Sequence, residues 1–155
     1  MMHPKHHTDA IVLAARDVGE ASRMLCLFTR ELGMVHAHAQ GVRLLRSKLR
    51  HHLQPLTRAH VSLVRGREVW RVVGAEQSRA ITAPAFPKIA LLLRRLVHGE
   101  EADPSLFALV LSDQEETLWV AGILERLGYL DRRALVLSGA PLVSAINLAL
   151  RETQL

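Results

Sequence analysis

A long basic segment without acidic side chains contains the residues of this sequence that are best suited to binding chemistry. Residues 33–68 hold seven Lys or Arg and five His, and the first Asp or Glu among them is the last residue, Glu68. Guanidinium and ammonium groups neutralise phosphates, so this cluster predicts contact with a polyanion, and a solvated surface without a partner is the alternative. The seven cations are Arg43, Arg46, Lys48, Arg50, Arg58, Arg65 and Arg67.

The acidic groups that could carry catalysis have a simpler interpretation. The acids within residues 113–116 fall in the first turn of a predicted helix, where negative charge complements the helix dipole. A phosphodiester-cleaving enzyme, the alternative from a different functional class, needs clustered carboxylates that bind metal ions. The six acids of residues 1–80 form no such cluster in the sequence. We therefore expect a binding protein and not an enzyme.

The histidines and the single cysteine do not predict a metal site. Cys26 lies between two leucines, as is typical of a buried strand thiol, and one cysteine can form neither an internal disulfide nor a cysteine-based zinc site. The histidines within residues 3–7 fit a flexible polar N terminus. His36 and His38 could ligate a metal from one strand face, but an exposed or nucleic-acid-facing pair is the favoured interpretation. We predict neither a metal nor a cofactor.

Composition and charge describe a soluble globular protein with two dissimilar halves. The 155 residues carry a net charge of +5, and 49% of them are hydrophobic. Residues 1–80 contain 13 basic and six acidic side chains, whereas residues 81–155 contain seven and nine. The proline-containing stretch 82–88 separates the halves, so we predict two domains, 1–80 and 81–155. We expect no secretory signal, no membrane span and a reducing cytoplasm.

Alternating hydrophobic residues in the first half predict strands that form a barrel. Val35, Ala37 and Ala39 share one face of a strand, and Gly33 before them is suited to the positive φ of a hairpin. Five strands with a short helix between the third and fourth are the order of an OB-fold barrel. The predicted strands are 8–15, 24–30, 34–40, 57–65 and 68–75, with a helical turn at 47–54.

An OB-fold barrel binds nucleic acid over strands two and three and over the loops that follow strands one and four. Arg65 and Arg67 fall in the second of these loops. Trp70 either packs in the core or offers a platform on which a base stacks. Besides the seven cations, the predicted DNA-binding residues are Arg16 and Arg23 around the first loop and His36 and His38 on the outer face of strand three.

Helical periodicity and capping signals describe the second half. Hydrophobic residues recur within 86–98 at the spacing of an amphipathic helix. The predicted class is therefore α+β, an N-terminal five-stranded OB-fold β-barrel followed by a C-terminal α-helical domain. Further helices are predicted to begin at Asp103 and Pro104, at Ser112 with Glu115 as a capping box and running to Gly128, and at Pro141.

The order of motifs resembles the RecO family of bacterial recombination mediators. The most distinctive part is Gly19-Glu20, followed by Arg23 and "LFTRELG", within residues 10–33. The resemblance continues through "AQGVRLLRSKLRHHLQP" and "RGREVW", and it extends through "DPSLFALVL", "LERLGYL" and "AINLALRETQL". Many RecO proteins carry a four-cysteine zinc module after the "LGY" motif. Residues 130–142 stand in its place without a cysteine, so zinc is not carried over.

The resemblance implies binding of single- and double-stranded DNA, annealing of complementary strands and a nucleoid-associated cytoplasmic location. It also implies the partners RecR and the single-stranded DNA-binding protein SSB, and indirectly the recombinase RecA. A groove edged by basic residues would hold the acidic-aromatic tail of SSB. The candidate residues for this groove are Arg94, Arg95, Arg126, Arg132 and Arg133. A generic OB-fold module that binds single-stranded nucleic acid is the alternative within the same functional class.

Overall fold

The computed structural model describes residues 3–153, and the chain packs as two compact units, Met1–Asp103 and Pro104–Leu155. The first unit contains all five strands and one helix. That helix, which the sequence analysis grouped with the helical half, belongs to the unit of the strands. Within residues 3–153, no helix combines the length and the hydropathy that crossing a bilayer requires.

The first unit is built on a closed barrel with the strand order β1-β2-β3-β5-β4. Neighbouring strands are antiparallel except β3 and β5, whose parallel pairing joins Ala37 to Trp70 and His38 to Arg71. The predicted α+β class with a five-stranded OB-fold barrel is confirmed. The strands are β1 (Lys5–Val18), β2 (Ser22–Thr29), β3 (Gly33–Ala39), β4 (Thr57–Arg65) and β5 (Trp70–Ala80).

Strict alternation along the strands fills the barrel with small and branched side chains. The predicted inward faces of β3 and β4 are confirmed, because every second residue is buried from Val35 to Ala39 and from Ala59 to Leu63. Val42 and Leu53, from the connection between these strands, also belong to this core and attach the connection to the barrel. The core includes Ala10, Val12, Leu25, Leu27, Val35, Ala37, Ala39, Ala59, Val61, Leu63 and Trp70.

The predicted helical turn at 47–54 is wrong, because residues 40–56 form separate turns. The amides of Leu44, Ser47 and His52 each bond the carbonyl three residues earlier, but these bonds are not consecutive. The hydroxyl of Ser47 accepts a hydrogen bond from the amide of Leu49. A side chain that satisfies a nearby amide in this way competes with helical bonding, which accounts for the difference.

The helix α1 (Phe86–Leu96) packs against β1 and confirms the helix predicted there. Ile11 and Leu13 alternate with the interior residues of β1, yet both are buried, because this outer face of the strand is covered. After α1 the chain returns to the start of β3, where the amide of Met34 donates to the carbonyl of Gly99 at 3.0 Å.

The second unit consists of three helices and a short 3-10 turn, Arg132–Val136. The helices are α2 (Pro104–Val110), α3 (Glu116–Arg126) and α4 (Gly139–Glu152). The start of α2 at Pro104 is confirmed, whereas α3 ends two residues before Gly128, and α4 begins two residues before Pro141.

The predicted capping box that begins at Ser112 is wrong. Asp113 has a φ of 48°, a left-handed backbone that cannot continue into a helix. Glu115 is the N-cap residue instead, and its carboxylate accepts the amides of Thr117 and Leu118 at 3.0 and 3.2 Å. These hydrogen bonds to the charged form lower the pKa of Glu115.

Candidate nucleic-acid interface

Residues 41–50, called the basic loop below, are fixed to the turn between β1 and β2. The amide of Gly41 donates to the hydroxyl of Ser22, and the amide of Arg43 donates to the carbonyl of Ala21 at 2.9 Å. The guanidinium of Arg43 donates to the carbonyl of Gly19 at 3.0 Å. The structure therefore brings the basic loop, which follows β3, against the loop that follows β1, and predicted DNA-binding residues lie in or next to both.

Two of the predicted DNA-binding arginines share one carboxylate at this junction. Nε of Arg23 lies 3.0 Å from Oδ1 of Asp17, and Nε of Arg43 lies 3.5 Å from the same oxygen. Both arginines are about 30% exposed, at 28% and 31%. Part of their charge is thus compensated within the protein, so their role includes holding the two loops together.

The remaining cations of the basic loop have no such compensation. Arg46 and Lys48 are exposed, and Arg50 is half-buried. Between residues 3 and 153, no ion pair joins an acidic side chain to any of these three residues or to the exposed Arg67. These four side chains and Arg16, which is exposed and likewise outside the ion pairs of residues 3–153, are the predicted DNA-binding cations most available to a phosphate backbone.

A cluster of hydrogen-bonded side chains around Trp70 lies beside the loop between β4 and β5. The indole Nε1 donates to Oε1 of Glu100 at 2.9 Å, and Arg65 donates to Oε2 of the same carboxylate at 2.7 Å. The guanidinium of Arg65 also lies 4.3 Å from the centre of the indole ring. The hydrogen bonds from Trp70 and Arg65 lower the pKa of Glu100. Trp70 is 2% exposed, so it is a core residue and not a platform for a base.

On the β1 and β4 side of the barrel, Arg58 also has an acidic partner. Its guanidinium lies 3.0 Å from Oδ2 of Asp9, and Nδ1 of His60 lies 3.3 Å from Oδ1 of the same residue. Burial alone would raise the pKa of Asp9, but the hydrogen bonds from Arg58 and His60 outweigh burial and lower it. Arg58 is therefore less available to a phosphate than the exposed cations of the basic loop.

The acid-free character of the basic segment does not persist in three dimensions. Asp9, Asp17 and Glu100 all lie outside residues 33–68, yet they supply carboxylates to Arg58, Arg43 and Arg65. These three acids were not recognised from the sequence as ion-pair partners of the arginines. The strand register could have indicated one of them, because Asp9 pairs with His60 across β1 and β4.

The outer face of β2 and β3 borders a groove that continues onto α1 within the first unit. Its walls include the predicted DNA-binding residue His36 and two arginines that the sequence analysis assigned to a protein partner, Arg94 and Arg95. Cys26 lies in the groove, and its thiol contacts Sδ of Met34 at 3.5 Å. Burial raises the pKa of this thiol, although the positive charge of Arg94 opposes the effect.

Of the other predicted site residues, Arg16 lines an adjoining cavity together with Cys26, His36 and Arg94, whereas His38 and the arginines of the second unit line neither cavity. His38 is half-buried on β3, and Arg16 lies on β1 opposite Met24. Arg126 lies in the last turn of α3, and Arg132 and Arg133 begin the 3-10 turn. Because these three arginines belong to a different unit from Arg94 and Arg95, the shared groove for a peptide stays a prediction.

The residues present do not fit a four-cysteine zinc site. Residues 130–142 contain no cysteine and form the 3-10 turn and the beginning of α4. In the part of the chain from residue 3 to 153, no group of three or more His, Cys, Asp or Glu side chains is arranged to hold a metal ion.

Comparison with known proteins points to one family. The family model "Recombination protein O N terminal" matches residues 2–80, which is the sheet portion of the chain. A protein named DNA repair protein RecO from Dehalococcoides mccartyi (strain CBDB1) is 35% identical over 118 residues, which are 70% of this chain and 46% of that protein.

Two further relatives with the same name extend the match. The protein from Heliobacterium modesticaldum is 33% identical over 150 residues, covering 85% of this chain and 55% of the relative. The protein from Pelotomaculum thermopropionicum is 47% identical over 114 residues, covering 68% and 44%. The chain thus spans about half the length of the curated relatives it matches.

Proposed function

The chain belongs to the RecO family, and from this premise we propose that it binds DNA during repair and recombination and anneals complementary strands. The binding is electrostatic and does not depend on sequence, because phosphate contacts contribute affinity without distinguishing bases. Sequence specificity comes from base pairing between the two strands. The protein acts without enzymatic turnover.

The observation that carries this proposal is the anchored basic loop. Its backbone is fixed to the turn after β1 through Gly41 and Arg43, while Arg46 and Lys48 are exposed. A fixed backbone presents the cations in one arrangement, so little backbone entropy is lost when phosphates bind. Arg67, in the loop after β4, adds a further exposed cation to the same unit.

Annealing follows from charge neutralisation. Two single strands repel each other through their phosphates. Protein cations that bind these phosphates replace the condensed counterions and reduce the repulsion. A strand held by its backbone leaves its bases available for pairing. The Arg23–Asp17–Arg43 cluster contributes by holding the loops together, since these arginines are partly compensated.

The partners proposed are RecR, SSB and, indirectly, RecA, on the ground of family resemblance. The tail of SSB combines carboxylates with apolar side chains, which suits arginines beside apolar surface. Arg126, Arg132 and Arg133 supply such cations in the second unit, near the exposed Tyr129. Replacing these three arginines by Ala should weaken binding of a fluorescent SSB tail peptide at least several-fold, since charge-assisted pairs contribute about 1–3 kcal/mol. Equal affinities would place the tail elsewhere.

The proposed function is tested by annealing of complementary labelled oligonucleotides, bare and coated with SSB. The full chain should accelerate annealing of both above the rate without protein. On bare oligonucleotides, an R46A/K48A/R50A variant should lose most of this acceleration, while R132A/R133A/R151A, which removes the same charge from the second unit, should retain it. No acceleration by the wild-type protein would overturn the proposal, and metal-dependent cleavage of the oligonucleotides would indicate a nuclease instead.

A further inference from the structure

The groove between the β2–β3 face and α1 joins two cavities that share three lining residues. The larger has a volume of about 630 Å³ and the smaller about 160 Å³. Cys26, His36 and Arg94 line both, so the two cavities adjoin each other at the outer face of β2 and β3. Arg16 lies at one end and Arg95 toward the other, and every lining residue belongs to the first unit.

The groove combines exposed apolar surface with a cationic rim. Met34 and Trp70 line it but are only 6% and 2% exposed, so Leu91, at 63% exposure, supplies the apolar surface that an occupant can contact. Arg94 and Arg95, both exposed, lie in the last turn of α1. Such a surface offers apolar contact to an unpaired base and positive charge to the phosphates beside it.

Two acids in the lining reduce the net positive charge of the groove but do not make it negative. Glu100 is bonded to Trp70 and to Arg65, so its negative charge is already compensated from within the protein. Glu68 is exposed at the edge of the groove. Against these stand Arg94, Arg95 and Arg16, which leaves the groove as a whole positive. The groove therefore favours an anionic occupant.

We propose that a single strand of DNA lies in this groove, with its phosphates on Arg16, Arg94 and Arg95 and a base against the exposed side chains of His36 and Leu91. This inference rests on the proposed function and extends it, because it makes α1 part of the DNA site. It also reassigns Arg94 and Arg95, which the sequence analysis gave to a protein partner. An exposed histidine ring presents the flat face on which an unpaired base stacks.

Cys26, the one cysteine in the sequence, provides a direct probe of the groove in the unmodified protein. The rate at which a thiol-reactive dye labels Cys26 should fall at least several-fold when the protein is saturated with oligothymidine, and saturation is established separately by fluorescence anisotropy. Oligothymidine that contains 4-thiothymidine should crosslink on irradiation to the tryptic peptides 24–30 or 31–43, which contain Cys26 and His36.

An R94A/R95A variant tests the cationic rim. It should bind oligothymidine more weakly, with a log–log salt slope smaller by about 1.4, since each single-strand phosphate contact contributes about 0.7. It should also lose protection of Cys26. The matched R79A/R151A variant removes the same charge from exposed positions outside the groove and should keep both the slope and the protection.

The outcomes separate this inference from the proposed function. DNA binding by anisotropy with unchanged labelling of Cys26 and no crosslinks to these two peptides would overturn the groove as the DNA path and leave the proposed function standing. Protection of Cys26 by an acidic peptide but not by saturating DNA would overturn it in favour of a protein partner. No DNA binding at all would overturn both.

Discussion

The indole nitrogen of Trp70, at the beginning of β5, donates to the carboxylate of Glu100, which follows α1, at 2.9 Å. This bond connects the barrel to the segment after the helix. Arg65 donates to the second oxygen of the same carboxylate. A core side chain and a residue of the candidate DNA surface thereby share one acidic partner. A substitution at Glu100 is therefore expected to change both the stability of the first unit and the position of Arg65.

Replacing Glu100 by Ala should destabilise the protein by about 1–2 kcal/mol, because the buried indole N–H of Trp70 loses its acceptor. Urea unfolding followed by tryptophan fluorescence measures the change. The exposed Glu68 gives the matched control, since E68A removes the same charge from the neighbouring loop and should change stability by less than about 0.5 kcal/mol. Equal effects of the two variants would show that the Trp70 bond contributes nothing measurable.

The lowered pKa of Glu100 should also appear as a pH dependence of stability. The bonds from Trp70 and Arg65 make this carboxyl more acidic in the folded state than its ordinary value of 4.5. The unfolded chain therefore binds more protons here, and the contribution is complete above about pH 4.5 and is lost as the pH falls through the folded value. Urea midpoints between pH 6 and pH 3 should fall less steeply for E100Q than for wild type, and parallel curves would contradict this.

Gly33 should tolerate no side chain, and Gly19 provides a comparison. Both have positive φ, at 70° and 60°, so alanine is strained at either position. At Gly33 a Cβ would also lie 2.6 Å from the carbonyl oxygen of Glu101, whereas nothing lies within 4 Å at Gly19. We expect G19A to cost about 1 kcal/mol and G33A clearly more. Thermal unfolding of both variants tests the order, and equal losses would show that the segment near Glu101 moves aside freely.

The basic loop should contribute phosphate contacts that are insensitive to DNA sequence. The R46A/K48A/R50A variant should weaken binding to all oligonucleotides alike and reduce the log–log salt slope by about 2, at about 0.7 for each single-strand contact. Arg43 is left unchanged because it fixes the loop to Gly19. Anisotropy titrations from low to moderate salt provide the slope. A slope equal to that of R132A/R133A/R151A would place the contact outside the basic loop.

Folding should be independent of metal. Structural zinc contributes directly to the free energy of folding where it is bound, so its removal lowers the melting temperature. Residues 130–142 have no cysteine in the place of the family's zinc module. Thermal melts with and without a strong chelator should therefore overlay. A lower melting temperature with chelator, together with zinc detected by elemental analysis, would reveal a histidine-based site.

The barrel could be predicted because its signals are local. Alternation along β3 and β4 gives the inward faces directly, and Gly33 marks the hairpin by its backbone freedom. The helix α1, which begins between Pro84 and Pro87, was also predictable from its hydrophobic spacing. Its membership of the first unit was not, because that depends on packing against β1, which no local pattern reports.

The cations of the candidate site could be predicted from the sequence, but their ion pairs with acidic side chains could not. The cations of the basic loop stand out in the sequence, whereas the acids that compensate Arg43 and Arg65 come from 26 residues before and 35 residues after them. The cap at Glu115 was missed for a different reason. Ser112 and Glu115 have the spacing of a capping box, but the left-handed backbone of Asp113 between them prevents a helix from starting there.

The parallel pairing between β3 and β5 is the shortest strand pairing of the barrel, so we expect the ring to open first along this line. That seam joins Ala37 to Trp70 and His38 to Arg71, whereas β4 and β5 pair along most of their length. Separating it converts the ring into a continuous, wholly antiparallel sheet in the order β3-β2-β1-β4-β5, with unpaired edges at β3 and β5. Such edges recruit strands from other molecules. Domain swapping and aggregation of this protein should therefore begin at the seam, and mutations that weaken it should increase both while leaving the individual strands intact.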